Sequence, residues 1–256
     1  GGYIIKIDKP TGDGESCSTC YDDSFSFSSR YDTNGDISDQ SNIFFIYHYP
    51  KPDDISQDQK DYIQSVIFEF ESVLLSENNE ELLNLIDLQS FIDFFIINEL
   101  SKNPDGYRLS TFLNKDFNGK LKMGPIWDFN LAYANVDYCD GANPIGWIYN
   151  FNSICPGDIW QVPFWWEVLM QKEVFKTALK NRWSSLRSSS LSNSTILNTI
   201  DSYTENLNSN NITNQNFYVW PVLGQYIWPN FFVGSTHEEE IEFLKNWIDD
   251  RLDWMD

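Results

Sequence analysis

Two short stretches are central to the interpretation of this chain: NELSKNPDGYR at residues 98–108 and GPIWDFN at residues 124–130. Each carries an aspartate on a turn, Asp105 after an apolar helix and Asp128 after a hairpin. Residues 102–122 hold five basic side chains against two acids, although the whole chain has a net charge of −21. Phosphoryl transfer requires such a mixture: a carboxylate to orient a hydroxyl, another to hold a divalent cation, and cations that face phosphate oxygens.

Length and composition limit the class of protein. The 256 residues allow one large domain or two small ones, and 19 Phe, 13 Tyr and 10 Trp favour a packed globule over disorder. The pI near 4.2 disfavours nucleic acid and anionic membranes as partners, because the protein would be repelled by both. No apolar run has the length of a membrane span.

The four cysteines indicate the compartment. Cys17 and Cys20 form a Cys-x-x-Cys pair, and Cys139 and Cys155 follow in a long polar loop. The even count and the loop settings favour two disulfides and therefore an extracellular or cell-surface protein. A zinc site of all four cysteines is the alternative, but the second pair is too widely spaced for a zinc knuckle. Redox catalysis by the first pair is disfavoured, because no βαβ pattern surrounds it.

Hydrophobic patterns predict an α+β fold that is predominantly helical. We expect a single domain over residues 1–256, in four consecutive parts. These are a β-rich N-terminal part (1–50), helices and a hairpin that carry the site (51–135), a long loop (136–162) and a helical C-terminal part (163–256). The strands of the first part are predicted at Tyr3–Ile7, Ser24–Ser28 and Ile43–Tyr49.

The helix before Asp105 supplies a rigid support. Asp87 is predicted as its N-cap, and apolar residues from Leu88 to Leu100 cover most of its surface, so it should be buried. Pro104 ends the helix, because a residue before proline avoids helical backbone angles. The following hairpin turns at Asn118-Gly119, a strong hairpin signal, and leads to Asp128.

Each of these residues also has a purely structural interpretation. An Asp-Gly pair is common in turns, and Asp128 could cap a turn through its own side chain. Lys102 and Arg108 could hold phosphates or merely compensate nearby acids. Taken together, two aspartates that follow rigid elements and have apolar neighbours favour the functional interpretation. The Trp-Asp-Phe sequence around Asp128 resembles the metal-binding Asp-Phe-Gly of protein kinases.

The central motifs closely resemble the CotH family, whose members are the spore coat protein H kinases. The resemblance rests on FFIINELSKNPDGYRLST at residues 94–111 and GKLKMGPIWDFNLAY at residues 119–133. The opening Gly-Gly-Tyr and the PFWW at residues 163–166 resemble the same family, so the likeness covers most of the chain. It implies a protein-kinase-like C-lobe with a small N-terminal β portion.

The resemblance implies an atypical protein kinase that transfers the γ-phosphate of ATP, with Mg²⁺ or Mn²⁺, to Ser or Thr of a secreted or surface protein. Asp105 matches the catalytic aspartate, and Asp128 matches the metal-binding aspartate, with Asn130 assigned beside it at the metal. Lys102 and Arg108 are assigned to the nucleotide phosphates. Ser110 stands where conventional kinases have an Asn for a second metal.

Two other functions stay open. CotH-like domains of anaerobic fungi occur beside dockerins, so the chain could be a non-catalytic scaffold in a surface assembly or cellulosome. The family's small β-lobe, with a lysine that contacts phosphate, precedes the Gly-Gly-Tyr strand at which this sequence begins, so the likeness concerns mainly the helical lobe. A lectin-like binder that stacks sugars on Trp165 or Trp166 is the second alternative.

Overall fold

The computed structural model describes residues 2–11 and 17–256. Gly1, the first residue of the Gly-Gly-Tyr motif, and residues 12–16 lie outside the described part. Contacts divide the chain into two compact units. The sheet unit comprises Gly1–Asn98, Asp105–Asp128 and Tyr149–Leu179. The helical unit comprises Glu99–Pro104, Phe129–Ile148 and Lys180–Asp256.

The described residues form nine α-helices and one antiparallel sheet of five strands, which confirms the α+β class. The strands are β1 Tyr3–Ile7, β2 Ser26–Ser28, β3 Phe44–Tyr49, β4 Thr111–Lys115 and β5 Leu121–Met123, in the order β2-β3-β1-β4-β5. The central strand β1 pairs on one side with β3 and on the other with β4, where Ile5 lies opposite Leu113. The N-terminal strands and the predicted hairpin therefore share one sheet, a long-range pairing that local patterns did not predict.

Three helices pack beside this sheet. They are α1 Gln57–Leu75, α2 Asn79–Leu85 and α3 Leu88–Ser101, the last of which belongs to the sheet unit as far as Asn98. Asp87 caps α3 as predicted, because its carboxylate accepts the Ser90 amide at 3.1 Å. The Asp87 amide in turn donates to the Leu121 carbonyl at 2.9 Å, so the start of α3 is tied to β5.

The long predicted loop contains more helix than expected. Residues 136–162 include a 3-10 turn at Ile148–Asn150 and the short helix α4 Phe151–Ile154. The next helices are α5 Trp165–Gln171 and α6 Glu173–Arg187. Residues 79–85 form α2, which was also not predicted, because about two turns of helix show little periodicity.

The helical unit contains α7 Asn193–Ser209, α8 Ile212–Val219 and α9 His237–Met255. Its core is built around Leu100, Trp247 and Leu252. The wholly buried Arg251 donates to the carbonyls of Glu99, Pro144 and Gly146 at 2.6–2.9 Å. None of the described helices is long and apolar enough to cross a membrane.

All four cysteines are in disulfides, so the prediction of two disulfides is confirmed. Cys17 and Cys20 are bonded to each other, Cys139 and Cys155 are also disulfide-bonded, and no cysteine is free. Because no thiolate is left to bind metal, the zinc interpretation is wrong.

Candidate functional site

Asp105 lies in the turn that joins α3 to β4 in the sheet unit. The Leu109 amide donates to the Asp105 carbonyl at 3.0 Å and closes the turn. Tyr107 anchors it: its ring is wholly buried, 4.5 Å from the Trp166 ring between centroids, and its hydroxyl donates to the Phe95 carbonyl at 3.3 Å. The backbone that carries Asp105 is therefore fixed by the aromatic core beneath it.

Arg108 holds the carboxylate of Asp105. Its guanidinium donates to Asp105 at 2.7 Å, to the Asp158 carboxylate at 3.1 Å and to the Trp160 carbonyl at 3.1 Å. The guanidinium carbon lies 4.0 Å from the centre of the Phe151 ring, and only 3% of the side chain is exposed. Charge-assisted bonds in such a setting are strong and geometrically specific. Arg108 therefore positions Asp105 against the segment around Asp158.

The electrostatic setting of Asp105 combines burial with a mixed set of charges. Burial raises the pKa of the Asp105 carboxyl above its ordinary value, and the negative charges of Asp128 and Asp158 raise this pKa further. Arg108 and Lys9 act in the opposite direction, but burial outweighs them. A carboxylate with a raised pKa is a better proton acceptor than one on an open surface.

Asp128 follows β5 on a short segment that is tied to the neighbouring strand. The Gly124 amide donates to the Phe112 carbonyl at 2.8 Å, and the Asn114 side chain donates to the Gly124 carbonyl at 3.0 Å. Beyond Gly124 the side chains are exposed, Trp127 to 66%. The Ser110 hydroxyl lies 3.4 Å from the Asp128 carboxylate and donates to it. The Asp128 carboxylate is therefore exposed, and one long hydrogen bond, from Ser110, orients it.

Left-handed backbone is concentrated in this part of the chain. Among the described residues, ten other than glycine have positive φ, and nine of these lie between Lys102 and Asp140. Tyr107, Ser110 and Asp128 are among them, at φ 71°, 48° and 63°. Such conformations are costly for residues with a Cβ, and they cluster at ligand and active sites, where the surrounding structure enforces them. The site segments thus hold non-glycine residues in left-handed backbone at three positions.

The family model described as CotH kinase protein matches residues 2–255, nearly the whole chain. The chain belongs to the CotH family. The resemblance drawn from the central motifs is thereby confirmed. No match was found among curated proteins or among solved structures.

In this CotH chain, Lys102 lies in the helical unit and is wholly buried. Its ammonium donates to the Asp140 carboxylate at 3.1 Å and to the carbonyls of Asn143 and Ile145 at 2.6 Å each. Burial lowers its pKa, an effect that the nearby Asp140 opposes. These contacts give Lys102 a structural task, and its assigned role at a phosphate stays a prediction.

Asn130, the second predicted metal ligand of the CotH chain, also belongs to the helical unit. Its side chain is exposed, and its carbonyl accepts the Asn135 side-chain amide at 2.7 Å. Its role at a metal stays a prediction. The glycan-stacking role considered for Trp165 and Trp166 is wrong, because both side chains are at most 1% exposed.

Sequence reasoning missed Lys9, the cation at the end of β1. Its ammonium lies 4.5 Å from the centre of the Trp160 ring, and its charge acts on Asp105. Lys6, within β1, pairs with Asp8 at 3.2 Å. The signal available in the sequence was the position of Lys9, two residues after the end of the apolar strand β1. Asp158 was missed because it approaches Arg108 from 50 residues away.

The residues of this CotH site fit Mg²⁺ held together with a nucleotide. Magnesium is usually bound through one or two carboxylates, while substrate phosphates and waters complete its coordination. Within residues 2–11 and 17–256, no three His, Cys, Asp or Glu side chains are grouped to hold a metal by themselves. Asp128 with its exposed carboxylate therefore fits an open site that phosphates complete, and a closed structural metal cage does not fit.

Proposed function

We propose that this CotH protein is a metal-dependent phosphotransferase that acts on Ser or Thr hydroxyls of a protein, through the protein-kinase-like site built on Asp105 and Asp128. The observation that carries the proposal is the pair itself. One carboxylate is half-buried and fixed by Arg108, the other is open and oriented by Ser110, and they are close enough for Asp128 to raise the pKa of Asp105. Family membership supports the same reaction.

Each residue then has a distinct task. Asp105 accepts a hydrogen bond from the acceptor hydroxyl and takes its proton as the oxygen attacks. Arg108 holds the Asp105 carboxylate in place. Lys9 contributes positive charge beside the phosphate groups of the bound nucleotide. Asp128 would hold the cation, with Ser110 orienting its carboxylate. Bound ATP would supply the transferred phosphoryl group and leave as ADP, and the Mg²⁺ or Mn²⁺ ion would neutralise the charge that develops during transfer.

Substitution of the two aspartates tests this proposal. Asp105→Asn is expected to lower phosphate transfer from labelled ATP to a protein acceptor by at least about 100-fold, the usual lower bound for general base catalysis. Asp128→Asn is expected to lower it by at least about as much, because transfer depends on the cation that Asp128 would hold. Only Asp128→Asn should also weaken the stabilisation by Mg-ATP in a thermal unfolding assay.

Asp116→Asn is the matched control, because Asp116 is an exposed aspartate in the turn of the same hairpin. It should transfer phosphate like the parent. Equal transfer by all four proteins would remove both aspartates from the mechanism.

A non-catalytic CotH scaffold is the second candidate. One observation favours it: the cations assigned to phosphate, Lys102 and Arg108, are engaged in internal contacts and hardly exposed. The parent protein would then show neither transfer nor stabilisation by Mg-ATP. Dockerin-associated partners and a cell-surface location stay predictions. The two disulfides are compatible with such a location.

A further inference from the structure

A second surface of the protein, in the helical unit, differs in chemistry from the aspartate site. Residues 206–236, here called the aromatic segment, contain no Asp, Glu, Lys or Arg, although charged residues make up 21% of the chain. The segment includes α8, which has no buried residue. Five of its aromatic side chains are between 55% and 89% exposed: Tyr218, Trp220, Tyr226, Trp228 and Phe231. So much exposed aromatic surface marks an interaction site.

Internal contacts hold the aromatic segment in one conformation. The Gly224 amide donates to the Gly234 carbonyl at 2.8 Å and closes the loop between them. The Tyr226 hydroxyl donates to the Asp137 carboxylate. The Trp228 ring stacks on Tyr138, with centroids 6.2 Å apart and planes inclined by 13°. Two of the exposed rings, Tyr226 and Trp228, are thus held in place before any ligand arrives, which lowers the entropic cost of binding.

A cavity of about 510 Å³ adjoins the loop and shares Phe231 with it. Further aromatic walls come from Phe243 and Trp247, and its acceptors include Asp137 and Asp250. Carboxylate oxygens accept hydrogen bonds from hydroxyl groups. The surface therefore combines flat apolar faces with hydrogen-bonding groups.

We propose that the aromatic segment binds a neutral polysaccharide. A pyranose ring has an apolar face of C–H groups, which stacks on an aromatic ring, and an edge of hydroxyls, which needs donors and acceptors. The aromatic segment supplies both, since amide side chains lie among its rings at Asn214, Gln215, Asn216, Gln225 and Asn230. Because the segment has no charged residue, an uncharged ligand complements it.

The chemistry of the surface disfavours other occupants. An anionic membrane would be repelled, because the segment has no basic residue and the chain carries −21. A second copy of the chain would bring equally negative surroundings to the contact. Neither occupant would make use of the amides between the rings.

Binding to polysaccharides tests the proposal, with the parent protein and two variants. Affinity electrophoresis in gels that contain a soluble β-glucan, xylan or mannan is expected to retard the parent in at least one gel, and high salt should not abolish the retardation. The double variant Trp220→Ala/Trp228→Ala should bind at least about tenfold more weakly, since loss of an aromatic anchor commonly costs 1.4 kcal/mol or more. Both rings are mostly exposed, so this variant should unfold within a few degrees of the parent's temperature although it loses the Trp228 stack on Tyr138.

Trp127→Ala is the matched control, because Trp127 is as exposed as the two tryptophans but lies in the sheet unit. It should bind the polysaccharide like the parent. The proposal is wrong if no neutral polysaccharide retards the parent, or if the double variant binds as the parent does. Self-association, or binding to vesicles of neutral lipid, that the double variant loses without any polysaccharide binding would also overturn it. These outcomes are independent of phosphate transfer, so either proposal can fail alone.

Discussion

The turn at residues 104–109 and the segment at residues 124–128 each present an aspartate, but the fold holds them in opposite ways. The turn of Asp105 is anchored by the buried Tyr107, and its carboxylate accepts a hydrogen bond from Arg108. Asp128 stands on exposed chain, and its carboxylate accepts a 3.4 Å hydrogen bond from Ser110. A proton acceptor must be aimed accurately at its hydroxyl, whereas a cation ligand can be ordered by the ion it binds. The difference in support therefore matches the difference in the proposed tasks.

The largest expected effect is a loss of stability when the buried ring that anchors the Asp105 turn is removed. Tyr107→Ala removes a ring that is 0% exposed and should lower the free energy of unfolding by about 4 kcal/mol, as for other buried aromatic residues. Trp127→Ala, in the segment of Asp128, should change it by less than about 0.5 kcal/mol, because its ring is mostly in solvent. Urea unfolding of the two variants measures both values. Similar losses would show that the two segments are supported alike.

Removal of the Arg108 guanidinium, which binds the Asp105 carboxylate, should have the next largest effect on stability. Arg108→Met removes the guanidinium that pairs with the partly buried carboxylates of Asp105 and Asp158, and should cost about 3 kcal/mol of stability. It should also raise the pKa of Asp105 further, because Arg108 lowers that pKa in the parent. Urea unfolding and titration of the Asp105 carboxyl by NMR check the two expectations. An unchanged pKa would contradict the contact.

A pH-dependent effect on stability is expected from Glu71, which lies in the buried core below the Asp105 turn. Glu71 is buried and accepts hydrogen bonds from Ser29 and from Trp165, the neighbour of Trp166 on which Tyr107 packs. Burial raises the pKa of Glu71 from 4.5 to about 7, although these donors act in the opposite direction. A raised pKa in the folded state means that the native protein holds this proton more tightly. The resulting stability is complete below pH 4.5 and is lost as the pH rises through about 7.

The size of this loss should be up to about 3 kcal/mol, at 1.36 kcal/mol for each unit of pKa. Unfolding free energies of the parent and of Glu71→Gln, measured between pH 4 and pH 8, isolate the contribution, because the amide keeps the volume and does not titrate. Parallel pH profiles of the two proteins would show that Glu71 does not carry the effect.

The local parts of the site were predictable from the sequence. Pro104 fixed the end of α3, Asn118-Gly119 fixed the hairpin turn, and the apolar pattern of α3 predicted its burial. These signals depend on neighbours along the chain, so a single sequence reveals them. They were enough to place Asp105 on a turn after a buried helix, whereas Asp128, also predicted on a turn, lies in an irregular segment after the hairpin.

The parts that depend on long-range contacts were not predictable. Arg108 binds Asp158, which lies 50 residues further along the chain. Lys9 lowers the pKa of Asp105 because the pairing of β1 with β4 brings the two residues together. Lys102 was assigned to phosphate from its charge alone. The structure shows its φ at 44° and its ammonium bonded to two carbonyls, features that no local pattern encodes.

The burial of Lys102 also has a chemical consequence. Reagents that acylate amines need contact with the nitrogen, and this nitrogen is enclosed by an aspartate and two carbonyl oxygens. Exposed lysines such as Lys120 will be acylated first, and Lys102 only when the helical unit opens. The rate at which mass spectrometry detects an acyl group on Lys102 therefore reports how often that unit unfolds.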